Sequence, residues 1–115
     1  MNATLKIVRG QFLEDFDPIG QMDTYITLQT PQGEFKTKVA HGQGKTPVWN
    51  DIFKLNQVSQ IQLSAYDDDP GVDDYLGQTV INLPMLVQTG QAISWQPLYD
   101  KKMKQVGQLL LEISP

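Results

Sequence analysis

Five aspartates lie within residues 65–77, which read Ala-Tyr-Asp-Asp-Asp-Pro-Gly-Val-Asp-Asp-Tyr-Leu-Gly. An apolar run precedes this stretch and another follows it, so both of its ends are anchored, and Pro70-Gly71 between them predicts a loop. Carboxylates crowded in so short a loop repel one another unless a cation lies among them. Ca2+ suits such a site because proteins bind it through about six to eight oxygen ligands. The stretch therefore predicts a calcium-binding loop or, as the alternative, a solvated acidic turn.

Composition and charge exclude several classes of function. A length of 115 residues predicts one domain, 1–115, and 40% apolar residues are enough for a modest core. The net charge of −4 argues against a nucleic-acid partner, since a general nucleic-acid binder is strongly basic. The absence of cysteine and the single histidine, His41, exclude thiolate and multi-histidine metal sites. No apolar run is long enough to cross a bilayer, which favours a cytoplasmic location.

Catalysis is not predicted. No serine or threonine lies in a recognisable nucleophile motif, and His41 has no partner that would make it a base. The aspartates could bind Mg2+ for phosphoryl transfer, but no phosphate-binding glycine loop with lysine accompanies them. We therefore expect a domain that is not an enzyme.

Short strands separated by turn signals predict an all-β fold, an eight-stranded antiparallel β-sandwich. Alternation at 35–39 predicts a half-buried strand with Lys36 and Lys38 on its outer face, and Pro97 predicts an edge strand. Residues 85–87 are expected to form a helical turn. The predicted strands are residues 5–8, 24–28, 35–39, 48–55, 61–65, 76–83, 93–98 and 107–113.

Successive connections in an antiparallel sandwich tend to alternate between its two ends. We therefore expect the loops at 11–22 and 67–75 to meet at one end, which would carry metal-binding loops from two parts of the chain. Asp67 and Asp69 are two residues apart at the end of a strand, so both side chains can face the same way. The lysine loop at 101–106 is expected at this end as well. The prediction brings together six carboxylates, those of Asp15, Asp17, Asp23, Asp67, Asp69 and Asp74.

Taken in order, four segments resemble the signature of the C2 domain, a calcium-dependent phospholipid-binding β-sandwich. They are Asp17 with Asp-Thr-Tyr-Ile at 23–26, Thr-Pro-Val-Trp-Asn-Asp-Ile-Phe at 46–53, Tyr-Asp-Asp-Asp at 66–69, and Asp-Tyr-Leu-Gly at 74–77. The similarity covers essentially the whole chain. Trp-Gln-Pro-Leu at 95–98, followed by Gly-Gln-Leu-Leu-Leu at 107–111, resembles the topology II arrangement of the family.

The resemblance implies which oxygens bind Ca2+. Where the family usually has Asp-Pro-Tyr this chain has Asp-Thr-Tyr at 23–25, a change that should leave ligation intact. The second acidic loop is one residue shorter than is common, so Asp73 could compete with Asp74, and the shorter loop could cost the third, weakest ion and leave two. The ligands implied are the carboxylates of Asp17, Asp23, Asp67, Asp69 and Asp74, with the main-chain oxygens of Phe16 and Asp68.

The resemblance also implies a function, calcium-dependent binding to anionic phospholipid membranes. Bound Ca2+ would reverse the negative potential at the loops and accept phosphate oxygens of lipid headgroups. We expect the protein to be cytoplasmic, and peripheral on the membrane once calcium is bound. Two alternatives stay open: a calcium-stabilised module that binds a protein partner, and the targeting domain of a larger lipid-signalling enzyme.

Several side chains could contact lipid under this interpretation. Ile19, next to Pro18, and Val72 lie at loop tips and could enter the interface, with ordinary loop packing as the alternative. Lys36 and Lys38 would form a small patch for phosphoinositides, with a solvated strand face as the alternative. A second cationic contribution would come from the lysine loop, from Lys101, Lys102 and Lys104.

Overall fold

A computed structural model describes residues 1–17 and 21–115. The fold is all-β, with eight antiparallel strands in a curled sheet of order β3-β2-β5-β6-β7-β8-β1-β4. The predicted fold class is therefore confirmed. The strands are β1 Ala3–Phe12, β2 Thr24–Thr30, β3 Gly33–Lys36, β4 Val48–Leu55, β5 Gln60–Asp67, β6 Asp74–Asn82, β7 Ile93–Tyr99 and β8 Gln105–Ser114.

A narrow junction divides the curled sheet into two layers of four strands. Gln78 and Tyr99 form the one ladder pair between the described strands β6 and β7. Next to this pair, a Cβ on Gly77 would lie 2.7 Å from Val106 Cγ2 and 3.1 Å from the main-chain oxygen of Tyr99, so glycine permits the close approach. β7, which contains Pro97, pairs along its length only with β8 and is an edge of its layer, as the sequence predicts.

The core lies between the two layers and follows the alternation of the strands. Ile61, Leu63 and Ala65 of β5 are all buried, as the sequence predicts. Trp49 of β4 is fully buried and its indole nitrogen donates a hydrogen bond to the main-chain oxygen of Thr24, at 3.0 Å. Each large apolar side chain buried in this way contributes about 1.5–3 kcal/mol to folding. The acidic loops are thus attached to strands with a well-packed core.

The prediction of a half-buried strand at 35–39 is wrong. β3 ends at Lys36, and all four of its residues are exposed. Thr37 is buried and takes over the pairing with Ile26: its Oγ1 accepts a hydrogen bond from the Ile26 main-chain N–H at 3.0 Å. Lys38 therefore lies beyond the strand, so Lys36 and Lys38 do not share one strand face.

A short helix, α1, spans Leu83–Gln88 and confirms the predicted helical turn. The side chain of Asn82 caps it by accepting a hydrogen bond from the Met85 main-chain N–H, at 3.0 Å. Because β6 begins at the acidic loop and ends at Asn82, α1 lies at the opposite end of the sandwich from the aspartates. Across the described residues, no helix has both the length and the apolar character needed to cross a membrane.

Candidate metal centre

The last residue of β5 and the residue before β2 hold the two acidic loops together. Asp67 ends β5 and is only 1% exposed. Its Oδ1 accepts a hydrogen bond from the Asp23 main-chain N–H at 2.8 Å. In return, the main-chain N–H of Asp68 donates to the main-chain oxygen of Asp23, also at 2.8 Å. These bonds fix the loop before β2 against the loop after β5.

Three carboxylates from these loops converge. One oxygen each from Asp17, Asp67 and Asp69 lies within 4.8 Å of the other two. Ca2+–oxygen distances are about 2.3–2.6 Å, so two ligand oxygens on opposite sides of one ion lie about 4.6–5.2 Å apart. The spacing and the all-oxygen donor set both fit a hard divalent cation such as Ca2+.

The pKa values of Asp67 and Asp69 are both raised, through different combinations of burial, hydrogen bonding and neighbouring carboxylates. Burial is the main cause that raises the pKa of Asp67, and the charges of Asp17, Asp23 and Asp74 add to it against the opposing hydrogen bond from Asp23. The pKa of Asp69 is raised to about 6, first by a side-chain hydrogen bond with Asp74 and then by burial and neighbouring carboxylates. A bound cation would relieve this repulsion.

The remaining predicted ligands surround the cluster. Asp74 is exposed and shares a hydrogen bond with Asp69. Oδ1 of Asp23 accepts a hydrogen bond from the Gly42 main-chain N–H at 2.5 Å, so one of its oxygens is directed to the β3–β4 loop. Phe16 packs against the core, and Asp68 donates its main-chain N–H to Asp23; neither of their main-chain oxygens accepts a hydrogen bond from another described residue.

Asp73 has a bracing role that the sequence analysis missed. Its Oδ2 accepts a hydrogen bond from the Tyr25 hydroxyl at 2.5 Å, and its Oδ1 accepts one from the Asp69 main-chain N–H at 3.1 Å. The bond from Tyr25 is the main cause that lowers the pKa of Asp73. Both oxygens are thus engaged by protein donors: the bond from Tyr25 connects the acidic loop to β2, and the bond from Asp69 lies within the loop itself. Tyr25, two residues after Asp23, is the sequence feature that could have indicated this role.

The predicted lipid contacts fall at separate places. Lys36 Nζ lies 5.7 Å from the ring centroid of Tyr25, and Lys101 Nζ lies 5.4 Å from that of Tyr75. Lys38 instead pairs with Asp51, Nζ to Oδ1, at 3.8 Å. Val72 is 85% exposed and Lys102 is exposed, whereas Ile19 and its neighbours at 18 and 20 lie outside the described residues.

Directly after Asp23, the Thr24 hydroxyl is an unusual feature of the site. Thr24 is fully buried, and its Oγ1 has no hydrogen-bond partner in the described part of the chain. A buried hydroxyl without a partner costs about 1–3 kcal/mol. This residue occupies the place where the family resemblance leads one to expect proline.

Comparison with known proteins supplies the family. A family model of the C2 domain matches residues 1–98. Elicitor-responsive protein 1 of Oryza sativa subsp. japonica is 36% identical over 80 residues, which are 63% of this chain and 50% of that protein. The 16 kDa phloem protein 2 of Arabidopsis thaliana is 34% identical over 94 residues, 76% of this chain and 64% of that protein. The chain thus spans half to somewhat under two thirds of these relatives.

A solved structure gives the same fold. The calcium-bound pair of C2 domains of extended synaptotagmin 2 superposes with a TM-score of 0.80, and the match covers 98% of this chain and 44% of that one. Sequence identity there is 20%, so the comparison concerns the fold alone. The matched family model, the strand arrangement and the acidic loops lead to one conclusion: the chain belongs to the C2 domain family.

Proposed function

We propose that this protein is a membrane-targeting module that binds anionic phospholipid surfaces when calcium is present. One observation carries the proposal: carboxylate oxygens of Asp17, Asp67 and Asp69 converge within 4.8 Å at one end of the sandwich. Asp23, Asp74 and the main-chain oxygens of Phe16 and Asp68 are proposed to complete the ligand shell. Membership of the C2 family supports this assignment.

The chain's own residues explain why lipid binding would depend on the metal. The cluster concentrates carboxylates at one end of a domain whose net charge is already −4, so this end repels an anionic membrane. The hydrogen bonds between Asp23, Asp67 and Asp68 hold the ligands in place, so little ordering is needed when an ion binds. Bound Ca2+ supplies positive charge and open coordination positions for lipid phosphate oxygens.

Further contacts with the membrane are proposed for side chains around the site. Val72, 85% exposed, extends from the same loop as Asp69 and would enter the interface. Ile19 would do the same from the first loop. Lys101 and Lys102 are exposed at the connection between β7 and β8 and would approach anionic headgroups. Lys36 and Lys38 would add a weaker contact, because Lys38 already pairs with Asp51.

The proposed location is cytoplasmic, with peripheral membrane attachment on calcium binding. The chain covers 50% and 64% of its two plant relatives, so attachment to a longer protein fits the comparisons. In that case the C2 module would bring the rest of that longer protein to the membrane. The calcium-bound neighbour, at 20% identity, supports the fold alone, and the proposed metal rests on the carboxylate cluster of this chain.

Vesicle sedimentation tests the proposal. Wild-type protein is spun with phosphatidylserine-containing vesicles in Ca2+ and in EGTA, beside Asp67→Asn/Asp69→Asn and the matched double variant Glu34→Gln/Glu112→Gln. We expect pelleting only with Ca2+, its loss in the aspartate variant, and its retention in the glutamate variant. Equal pelleting in EGTA and in Ca2+ would overturn the calcium trigger. Calcium binding by calorimetry without any pelleting would favour the protein-interaction alternative.

A further inference from the structure

The connection between β7 and β8 is a tightly closed turn. Asp100 Oδ1 accepts hydrogen bonds from the main-chain N–H groups of Lys102 and Lys104, both at 2.9 Å. The main-chain N–H of Asp100 donates to the main-chain oxygen of Lys104 at 2.9 Å, and that of Met103 donates to the oxygen of Asp100 at 3.0 Å. Four hydrogen bonds within five residues fix this segment, which we call the Asp100–Lys104 turn.

The tip of this turn is apolar. Met103 has φ of 63°, a left-handed conformation that is unfavourable for a residue with a long side chain. Its side chain is 76% exposed. Among the exposed large apolar side chains of the described residues, only Val72, at 85%, exceeds it. The hydrogen-bonded turn thus holds an apolar side chain in water, in a backbone conformation that is unfavourable for it.

The turn lies at the metal end, between the two acidic loops. On one side, Lys101 Nζ lies over the ring of Tyr75, the residue after Asp74. On the other side, Lys104 lines a hollow together with Leu13 and Phe16 of the first acidic loop. The Asp100–Lys104 turn thus points in the same direction as the loops proposed to meet the membrane.

The charge of the Asp100–Lys104 turn indicates the kind of surface that it would contact. The turn carries three lysines, Lys101, Lys102 and Lys104, out of nine Lys and Arg in a chain of net charge −4. None of them is in a salt bridge within the part of the chain that the structure describes. A hydrogen-bonded turn with one apolar side chain among three exposed lysines fits an anionic lipid surface, where methionine enters the acyl boundary and lysines contact phosphates.

We propose that the Asp100–Lys104 turn is a second membrane contact, anchored by Met103 and independent of the metal ligands. This inference rests on the proposed function, because the turn would act on the surface to which the acidic loops bind. The Lys-Met-Lys run at 102–104 carries its charge with or without calcium. It therefore contributes affinity without contributing to the trigger.

Matched variants separate the turn from the metal site. Met103→Gln keeps the side-chain length but removes its apolar end, and Met85→Gln makes the same change in α1, at the opposite end of the sandwich, where Met85 is 57% exposed. With phosphatidylserine vesicles in saturating Ca2+, we expect Met103→Gln to weaken binding about tenfold. Lys102→Gln/Lys104→Gln should weaken it more than tenfold, since each lysine near an anionic surface contributes about fivefold. Met85→Gln should bind as wild type does.

Calcium affinity in the absence of lipid, measured by calorimetry, should be the same in all of these variants. Unchanged vesicle affinity in Met103→Gln, with the calcium response intact, would overturn the inference and leave the proposed function standing. If wild type instead bound vesicles equally in EGTA and Met103→Gln still lost affinity, the calcium trigger would fail and the turn would stand. A wild type that binds no vesicles in either condition would refute both.

A direct readout of insertion is available because the chain has no cysteine. Met103→Cys provides a single attachment point for an environment-sensitive fluorophore, and Met85→Cys provides the control. On addition of vesicles with Ca2+, the label at 103 should shift to the blue and become protected from an aqueous quencher, while the label at 85 should do neither. A label at 103 that stays accessible to the quencher on bound vesicles would refute insertion.

Discussion

Removing two charges from the acidic cluster should have opposite effects on the metal-free and the calcium-bound protein. Asp17 and Asp67 have oxygens within 4.8 Å of each other. A pair of unit charges at that separation costs about 1 kcal/mol in water and about 3.5 kcal/mol at an effective dielectric constant of 20. Neutralising Asp67 removes this repulsion but weakens by about 1 kcal/mol the hydrogen bond that it accepts from Asp23. The net gain for the metal-free protein is about 1 kcal/mol.

These energies translate into melting temperatures. At about 2.1 cal/mol/K per residue, unfolding of 115 residues has an entropy of about 240 cal/mol/K, so 1 kcal/mol corresponds to about 4 °C. Calcium at a hundred times its dissociation constant stabilises wild type by about 2.7 kcal/mol per site, or about 11 °C. Asp67→Asn/Asp69→Asn should therefore melt above metal-free wild type and below calcium-bound wild type.

The assay is thermal unfolding followed by circular dichroism in EGTA and in Ca2+. The control is Glu34→Gln/Glu112→Gln, which also changes the net charge from −4 by two units, to −2. Glu34 is exposed in β3 and Glu112 is a surface residue 3.7 Å from Lys6, so this variant should keep the full calcium response. The reasoning is refuted if the aspartate variant retains a calcium-induced shift, or if it melts below metal-free wild type.

Three further predictions follow from single contacts in the site. The pKa of Asp69 is raised to about 6 in the folded protein, against about 3.9 in an unfolded chain. Between these two pH values, Asp69 is therefore protonated in the folded metal-free protein and ionised in the unfolded chain. In EGTA, the free energy of unfolding should therefore rise as the pH falls from about 7 to 5, and calcium affinity should fall over the same interval. Urea unfolding and calorimetry at both pH values test this. A free energy of unfolding that does not change with pH would contradict it. Thr24→Val removes a buried hydroxyl without a partner and should raise the free energy of unfolding by about 1 kcal/mol, whereas a loss of stability in urea would mean that the hydroxyl is satisfied by water. Tyr25→Phe removes the hydrogen bond to Asp73 and should weaken calcium binding about fivefold by calorimetry, with Tyr99→Phe, outside this bond, as the control that should not change.

The fold could be predicted because its main signals are local. Alternating apolar residues in β4 and β5 mark buried faces, and turn residues mark the connections, so the number of strands and the position of the short helix were predictable. The strand at 35–39 could not be predicted, because alternation alone does not show which neighbour a residue will pair with. The Thr37 main-chain N–H still donates to Ile26, but the Thr37 side chain accepts the Ile26 N–H in place of a main-chain oxygen, and β3 ends at Lys36.

The site could be predicted in outline and not in detail. Alternation of loops between the two ends predicts that Asp17 meets Asp67 and Asp69, and oxygens of these three side chains do converge. The brace from Tyr25 to Asp73 spans 48 residues and depends on side-chain directions that spacing does not fix. The exposure of Met103 depends on the hydrogen bonds of Asp100, so only the tertiary structure distinguishes it from a buried methionine.

The junction between β6 and β7 also bears on self-association. A single ladder pair joins these strands, so each has backbone groups along one side that pair with no strand in the described part of the chain. Unpaired backbone groups of this kind can form hydrogen bonds with a strand of a second molecule. Pro97 in β7 has no N–H to donate, and the close contact of Gly77 with Tyr99 and Val106 closes part of the gap. At high local concentration, copies of this protein would therefore face a lower hazard of edge-to-edge strand pairing at this junction.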